Sequence, residues 1–402
     1  MLTDAPIGIA GPISLPLLRP YLPAEADAPS GMGGTPVTHL VRGLVEQGRR
    51  VSVYTLDPAV ASAHVLRGDR LVVYVGPFRR RGRMRDFMRR ERHWIRRFVQ
   101  QDAPALVHAH WTYEYALGAL ATRRPTIVTV HDWAPTIFAQ WRDAYRLGRL
   151  LMNAVTLWKG THFIANSPYI QARLERWVTG PVTVVPNALD DDRFSPPSRP
   201  GPGTPPTLIS INNGFGARKN VTTLLRAFAS VRRAHPDSRL RLVGERYGPG
   251  QTAEAWARER GLAAGVVFVG PLAYEDTLDE LRAADLLVHP ALEESFGMTL
   301  LEAMATGTPV VAGAESGAVP WVTGEGTAAM LTDVTQPAAL ANAVETVLTD
   351  PERWRALAAA GYEHAWTHFR LSAVVAQHLD AYTALLQSTQ PDASVPTTLS
   401  SP

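Results

Sequence analysis

Glu293-Glu294-Ser295-Phe296-Gly297-Met298-Thr299-Leu300-Leu301-Glu302, followed by Ala303 and then by Gly307-Thr308-Pro309-Val310, organises the reading of this 402-residue chain. Two carboxylates, Glu294 and Glu302, flank a glycine, Gly297, that is able to open a helix. Backbone N–H groups at a helix start carry partial positive charge and attract phosphate. Glu302 falls roughly 7 Å along such a helix at about 1.5 Å per residue, and its side chain leans back toward the helix start. Glu294 approaches from the preceding loop. One loop and one helix thus offer a carboxylate, a phosphate cradle and a second carboxylate. That layout suits a hydroxyl-rich, diphosphate-bearing ligand such as a nucleotide sugar, although two glutamates around a helix start also read as ordinary solvated charge.

The surroundings favour the ligand. Asp285-Leu286-Leu287-Val288-His289 reads as a short buried strand, Gly307 closes the helix, and Pro309-Val310-Val311-Ala312-Gly313 begins the next strand. Strand, loop, short helix and strand is how an open parallel sheet places a site beyond its strand ends. The same alternation fills both halves of the chain. Strands are expected at 50–54, 71–75, 105–109, 126–130, 161–165 and 182–185, and again at 207–211, 239–243, 266–269, 285–289 and 309–313, with helical patterns between them. An α/β fold of two doubly wound, Rossmann-like parallel-sheet domains follows. The Pro- and Gly-rich stretch 195–206 is the expected linker. It separates a domain over 1–194 from one over 207–370; a helix over 371–387 is expected to cross back to the first domain, and 388–402 to be disordered.

Composition limits the alternatives. The chain has 46% apolar and 19% charged residues and no cysteine, which excludes disulfides, thiolate metal sites and a cysteine nucleophile. It fits a reducing, cytoplasmic setting. No apolar run approaches the ~20 residues that span a bilayer, and the apolar stretch from Ala5 to Leu18, interrupted by proline, reads as a strand and loop rather than a signal peptide. Residues 1–200 carry 26 Arg and Lys against 16 Asp and Glu, whereas 201–402 carry 14 against 21. The basic half favours an anionic surface or substrate.

Further motifs fall at strand ends. Ser30-Gly31-Met32-Gly33-Gly34 precedes a helical pattern, and glycines let backbone approach a phosphate closely. Gly214-Phe215-Gly216-Ala217-Arg218-Lys219-Asn220 follows the first strand of the second half; cations at a helix start oppose its dipole, so Arg218 and Lys219 point to an anionic ligand. His108 and His110 end one strand and His131-Asp132 another, with His110 and Asp132 in the loop positions where catalytic groups sit. Neither pair has the spacing of a metal site, and Asp190-Asp191-Asp192 reads as a turn. Ten arginines lie between Arg79 and Arg97 against Asp86 and Glu91, with Met84, Phe87, Met88, Ile95 and Phe98 at helical spacing. This segment reads either as an amphipathic helix with solvated arginines or as a patch for an anionic membrane surface. Nucleic acid is not expected, since no aromatic-rich recognition module accompanies the arginines.

Taken together, the chain resembles the retaining glycosyltransferases of family four, which have the GT-B fold. The resemblance rests on Glu294-Ser295-Phe296-Gly297 with Glu302, the Gly214–Asn220 loop, Leu242-Val243-Gly244-Glu245, Val267-Phe268-Val269-Gly270 and Ala284-Asp285 to Pro290, and runs from the loop at 31–34 to the final helix. It implies two domains facing each other across a cleft, with a donor site in the second and an acceptor site mainly in the first. Glu294, His110, Arg218 and Lys219 would be catalytic, with Glu294 and His110 facing the sugar and the two cations stabilising the diphosphate. Glu302 would hold the ribose. Ser295, Phe296, Gly297, Met298 and Thr299 would complete the donor site with Gly33, Gly34, Gly214 and Gly244, and Trp111, His131 and Asp132 would border the acceptor. The implied reaction moves a sugar from a nucleotide-diphosphate sugar to a hydroxyl acceptor with an α linkage. It proceeds by front-face attack, needs neither a cofactor nor a divalent metal, and takes place in the cytoplasm or at the inner membrane face. The sequence departs from the pattern at Ala188, at Arg49, and in a long Pro-rich loop over 19–34 on the acceptor side. An epimerase or phosphorylase on the same fold, or an inactive surface-binding protein, are the alternative readings.

Overall fold

The computed structural model describes residues 5–23 and 29–389, so 390–402, most of the tail read as disordered, lie outside the described residues. The chain divides into two compact units. The first holds the residues up to Ala165, Arg173–Val185 and those from Val375 on; the second holds Asn166–Ala172 and Pro186–Val374.

In the first unit, strands β1 (Ile7–Ala10), β2 (Val51–Asp57), β3 (His64–Arg67), β4 (Leu71–Pro77), β5 (Leu106–His110), β6 (Thr126–Val130), β7 (His162–Ala165) and β8 (Val182–Val184) form one sheet in the order β3-β4-β2-β1-β5-β6-β7-β8. Every residue of β2 is buried, as expected of a parallel strand covered on both faces. One strand departs from the parallel expectation: β3 runs antiparallel to β4 at the edge. Residues 64–67 are only partly buried and come straight back through a short turn, so this hairpin carries no long apolar run to announce it. Strand order reverses at β1, which lies between β2 and β5.

In the second unit, β9 (Thr207–Ile211), β10 (Arg239–Val243), β11 (Val266–Gly270), β12 (Leu286–His289), β13 (Val310–Gly313) and β14 (Met330–Thr332) are all parallel, in the order β11-β10-β9-β12-β13-β14. Successive residues face opposite layers. Leu208, Leu286, Val288 and Val311 pack with the helices Val221–Ala234 and Pro337–Leu348. Ile209, Leu287, Val310 and Ala312 pack with Tyr274–Ala283 and Met298–Ala305. Here the order reverses between β9 and β12, and β12 leads into the Glu294 loop.

Residues 195–206, the expected linker, lie within the second unit. Asp285, just before β12, accepts hydrogen bonds from the backbone N–H of Gly203 (2.7 Å) and of Thr207 (2.6 Å) and pairs with Arg199. Ser195 N–H donates to the Ala305 carbonyl at 2.8 Å. The final helix, Leu371–Ser388, joins the first unit from Val375 on, where Tyr382 meets His108.

The arginine-rich segment is broken where one helix was expected. A short 3-10 turn, Arg83–Asp86, is separated from the helix Arg89–Asp102 by Phe87 and Met88, both in the left-handed region (φ 49° and 57°). The break follows from Arg79, whose guanidinium is held between Asp86 (2.8 Å) and the buried Glu91 (2.6 Å), pulling the chain back on itself.

Asp285 fastens the Pro-rich segment through the backbone N–H groups of Gly203 and Thr207 and the Arg199 guanidinium, so its loss removes an acceptor from all three. Asp285→Ala is expected to lower the unfolding free energy of the chain by roughly 2–4 kcal/mol and to open residues 199–206 to limited proteolysis. An unchanged melting midpoint and cleavage pattern would refute that fastening role.

Candidate active site

Both units gather the candidate residues at a strand-order reversal, where the two flanking loops part and leave a crevice beyond the strand ends.

In the second unit, the loop after β9 carries Gly214, Arg218 and Lys219, and the loop after β12 carries Glu294 to Gly297. Asn220 staples the two together: its amide donates to the carbonyls of Pro290 (3.1 Å) and Val334 (2.7 Å), and its own carbonyl accepts from Thr223 Oγ1 at 2.6 Å. The Leu292 N–H donates to the Arg218 carbonyl at 2.8 Å. Lys219 Nζ then sits 2.5 Å from Glu294 Oε1, with both side chains largely buried. His289, the last residue of β12, is buried and brings Nε2 to 3.4 Å from the same oxygen. Burial alone would raise the Glu294 carboxyl, but Lys219 and His289 outweigh it and hold the group well below the usual carboxylate range.

Gly297 stands at the mouth of the helix Met298–Ala305 with φ 94°, a conformation that favours glycine. No side chain caps that helix start, so its first N–H groups stay available for an anion. Glu302 lies on the second turn of the helix, 7% exposed. Burial pushes its carboxyl up to about 7, and the Tyr274 hydroxyl offsets part of that rise. The Phe296 ring is in the core, edge-on to Phe369 (5.6 Å) and Trp321, so only its backbone is available to a ligand. The Ser295 carbonyl accepts from Ser167 Oγ at 2.6 Å, which fixes the loop that Ser295 and Thr299 flank. Gly244, directly after β10, donates its N–H to Gly270 O at 2.8 Å, and Gly214 N–H donates to Glu245 O.

In the first unit, Gly34 starts the helix Thr35–Glu46 with φ 79°; a Cβ there would come within 2.1 Å of the Pro12 carbonyl oxygen, so only glycine fits. Gly33 is open to solvent on its Cβ side. His110 ends β5 and His131 follows β6, and His110 Nδ1 lies 2.9 Å from His131 Nε2. Trp111 packs on the His131 ring at 4.3 Å between centroids. His108 is committed to the core: its ring nitrogens meet Tyr382 (2.7 Å) and Thr129 (2.5 Å). His110 Nε2, by contrast, is buried and has no partner among the described residues. Burial, and then the neighbouring His108, hold His110 neutral; burial pushes His131 down to about 3. A neutral imidazole suits hydroxyl recognition rather than charge. Asp132 accepts from the Tyr113 hydroxyl (2.8 Å) and lies 3.5 Å from Arg149, whose guanidinium covers the Tyr113 ring.

Three site residues escape the sequence reading: His289, Tyr274 and Asn220. His289 carries the same signal as His110, a histidine closing a strand. Tyr274 carries none, and Asn220, though part of the loop singled out in the sequence, takes its role from neighbours far along the chain. Asp191 is tied to Ser372 through its carboxylate (2.7 Å), as a turn residue would be, and no described cluster of three or more His, Asp or Glu could hold a metal ion.

Two family models match the chain. One, described as Glycosyltransferase Family 4, covers residues 33–193; the other, Glycosyl transferases group 1, covers 191–364. The D-inositol 3-phosphate glycosyltransferase 2 of Catenulispora acidiphila is 30% identical over 305 residues, covering 70% of this chain and 71% of that one. The first curated relatives, also D-inositol 3-phosphate glycosyltransferases, are matched over 40%, 62% and 46% of their length. Among solved structures, sucrose-phosphate synthase from Thermosynechococcus elongatus superposes with a TM-score of 0.77 at 22% identity, covering 96% of this chain and 100% of that one. Anabaena HepE in complex with UDP-glucose gives 0.66 at 19%, covering 94% and 100%. At these identities the structural likeness establishes the fold.

The raised carboxyl of Glu302 has a consequence for stability. Its folded value lies above its unfolded one, so the stability it contributes is complete below about pH 4.5 and is lost as pH rises through about 7. Glu302→Gln cannot titrate. Its melting midpoint is expected to match the wild type near pH 4.5 and to exceed it at pH 8, by roughly 2–4 kcal/mol of unfolding free energy. A difference that stays flat between those pH values, read by calorimetry, would show that Glu302 is already ionised.

Proposed function

The chain belongs to glycosyltransferase family 4, and from that premise we propose that it transfers a sugar from a nucleotide-diphosphate sugar to a hydroxyl acceptor with retention of anomeric configuration. The observation that carries this reading is the second-unit constellation: Lys219 paired with Glu294 at 2.5 Å, an uncapped helix start at Gly297, and buried Glu302 one turn on. In this reading the ribose hydroxyls donate to Glu302, and the diphosphate takes the N–H groups at Gly297 and Met298 together with the charge of Arg218 and Lys219. Ser295, Thr299 and the Gly214 and Gly244 turns shape the same pocket. The nucleotide is proposed to be a uridine diphosphate sugar, by analogy with the UDP-glucose bound by Anabaena HepE.

Transfer then breaks the bond between the anomeric carbon and the diphosphate oxygen while the acceptor oxygen bonds to that carbon on the same face. The acceptor proton passes to a phosphate oxygen, leaving an α-glycoside and a nucleoside diphosphate. Negative charge grows on the leaving diphosphate, where preorganised cations act most strongly. Arg218 and Lys219 supply that charge from the protein, so no divalent metal is called for. Glu294, kept ionised, orients the transferred sugar. His110, at the end of β5, is proposed to contact the transferred sugar, Gly33 and Gly34, on the glycine-rich loop before the helix Thr35–Glu46, to bind the donor, and Trp111, His131 and Asp132 to border the acceptor.

Screening a panel of nucleotide sugars by thermal stabilisation identifies the donor, because a ligand selective for the folded state raises the midpoint by mass action. With that donor, Lys219→Ala and Glu302→Ala are expected to lower transfer or donor hydrolysis at least about 100-fold, and EDTA to leave the wild-type rate within about twofold. Near-normal rates in both variants would sink the assignment. Anomeric inversion in the product would overturn retention, and release of an epimerised nucleotide sugar or of a sugar phosphate would reassign the reaction.

A further inference from the structure

The helix Ala144–Lys159 is apolar on two faces, and only one of them is packed. Gly148, Met152, Asn153, Thr156 and Leu157 are buried. The exposed positions are Ala144, Leu147, Leu151, Ala154, Val155 and Trp158, with Lys159 at the end. At roughly 100° per residue those six side chains fall within about 100° of arc, a continuous stripe. Leu147 is 44% exposed, Leu151 48%, Val155 40% and Trp158 81%. Trp141, just before the helix, is also exposed, with the Arg146 guanidinium over its ring. An apolar patch of this kind on a folded unit marks an interaction surface.

The arginine-rich segment is docked against the same helix. A Cβ on Gly148 would collide with Met84 Sδ at 2.2 Å, so the Arg83–Asp86 turn rests directly on it. Arg83 Nη2 donates to the Tyr145 hydroxyl at 3.1 Å. Arg80, Arg81 and Arg85 are exposed on the segment docked against this helix, Arg142 is exposed just before the helix start, and Phe87 stands half out of the surface. Arg79, in contrast, is neutralised by Asp86 and Glu91.

We propose that this face of the first unit docks on an anionic lipid bilayer, with the Leu147–Trp158 stripe entering the headgroup region and the flanking arginines meeting acidic lipid headgroups. Apolar residues with tryptophan on one side and cations around them are the pattern of an interfacial helix. No helix among the described residues is long and apolar enough to cross a membrane, so the helix lies on the surface. A second copy of the chain is the competing occupant. A two-fold interface would set the same arginine cluster against itself, and like charges across an interface are unfavourable. Charge therefore selects the acidic membrane.

The test is flotation of the full chain with vesicles of pure phosphatidylcholine and with vesicles holding 30% phosphatidylglycerol. Binding is expected only to the acidic vesicles and should weaken with salt. Trp158→Glu and Leu151→Asp, both on the exposed stripe, should lower binding at least tenfold while leaving donor hydrolysis unchanged. Arg81→Glu should lower it about fivefold or more, as loss of one juxtamembrane cation does. No binding, or equal binding to both vesicle types, overturns the proposal. So does a concentration-dependent dimer in sedimentation that Trp158→Glu abolishes without altering vesicle binding.

Discussion

The ion pair between Lys219 and Glu294 closes the point on which the second unit depends. β9 and β12 are neighbours at the reversal of strand order, and the loops leaving them would diverge without a tie. Lys219 comes from one loop and Glu294 from the other, 2.5 Å apart and largely buried. Removing either partner would strand the other charge in a poorly solvated place, which costs more than the pair itself contributes. Asn220 adds neutral ties from the same corner to Pro290 and Val334. The site is thus held by groups that also carry its chemistry. In the proposed reaction an arriving diphosphate competes with Glu294 for Lys219, so donor binding exchanges one anion for another without exposing the cation.

The two glutamates that look alike in sequence are set apart by what surrounds them. Glu294 has a cation and an imidazole on one oxygen and stays ionised. Glu302 has burial and a tyrosine hydroxyl, and its proton is lost only near neutrality. Paired titratable groups pushed in opposite directions usually have different tasks. An ionised Glu294 can accept from sugar hydroxyls at any working pH, whereas Glu302 accepts fully only once deprotonated. Hydroxyl donors arriving at Glu302 favour that ionised state, so nucleotide binding and proton release at this residue are coupled. In the first unit, the neutral His110, with one ring nitrogen engaged by His131 and the other without a partner among the described residues, is a group that can donate or accept without bringing charge.

Most of this architecture was legible in the residues because its signals are local. Parallel strands buried on both faces read as short apolar runs, and Gly297, Gly34 and the Lys219 loop declare themselves through backbone conformation and charge placement. What stayed hidden is tertiary. β3 is a partly exposed hairpin strand with no apolar run. The 195–206 stretch reads as a linker by composition, but Asp285, some eighty residues on, captures its backbone N–H groups and ties it to the second unit. The amphipathic spacing of Met84, Phe87, Met88, Ile95 and Phe98 is real, yet the chain breaks at the second and third of them, Phe87 and Met88, beside the Arg79 cage, and Phe87 turns outward. Periodicity cannot anticipate a side chain that bends its own backbone.

The helix Ala144–Lys159 shows the same limit from the opposite direction. Its exposed apolar residues interleave in sequence with its buried ones and with Arg146, Arg149, Asn153 and Thr156, so the exposed stripe does not stand out along the chain. At 16 residues it reaches about 24 Å, short of the hydrocarbon thickness, and Arg146, Arg149 and Lys159 interrupt it. Half of it is core, as Met152, Thr156 and Leu157 show. The other half keeps a large apolar surface in water, a standing cost that folding of this unit does not relieve. The arginine-rich segment comes from another part of the chain and is docked on this helix by Met84 seated on Gly148. Two features that sequence reads as unrelated, a charge run and a helix with an apolar stripe, are thus brought into contact only by folding, and the proposed docking on an acidic bilayer gives both a partner.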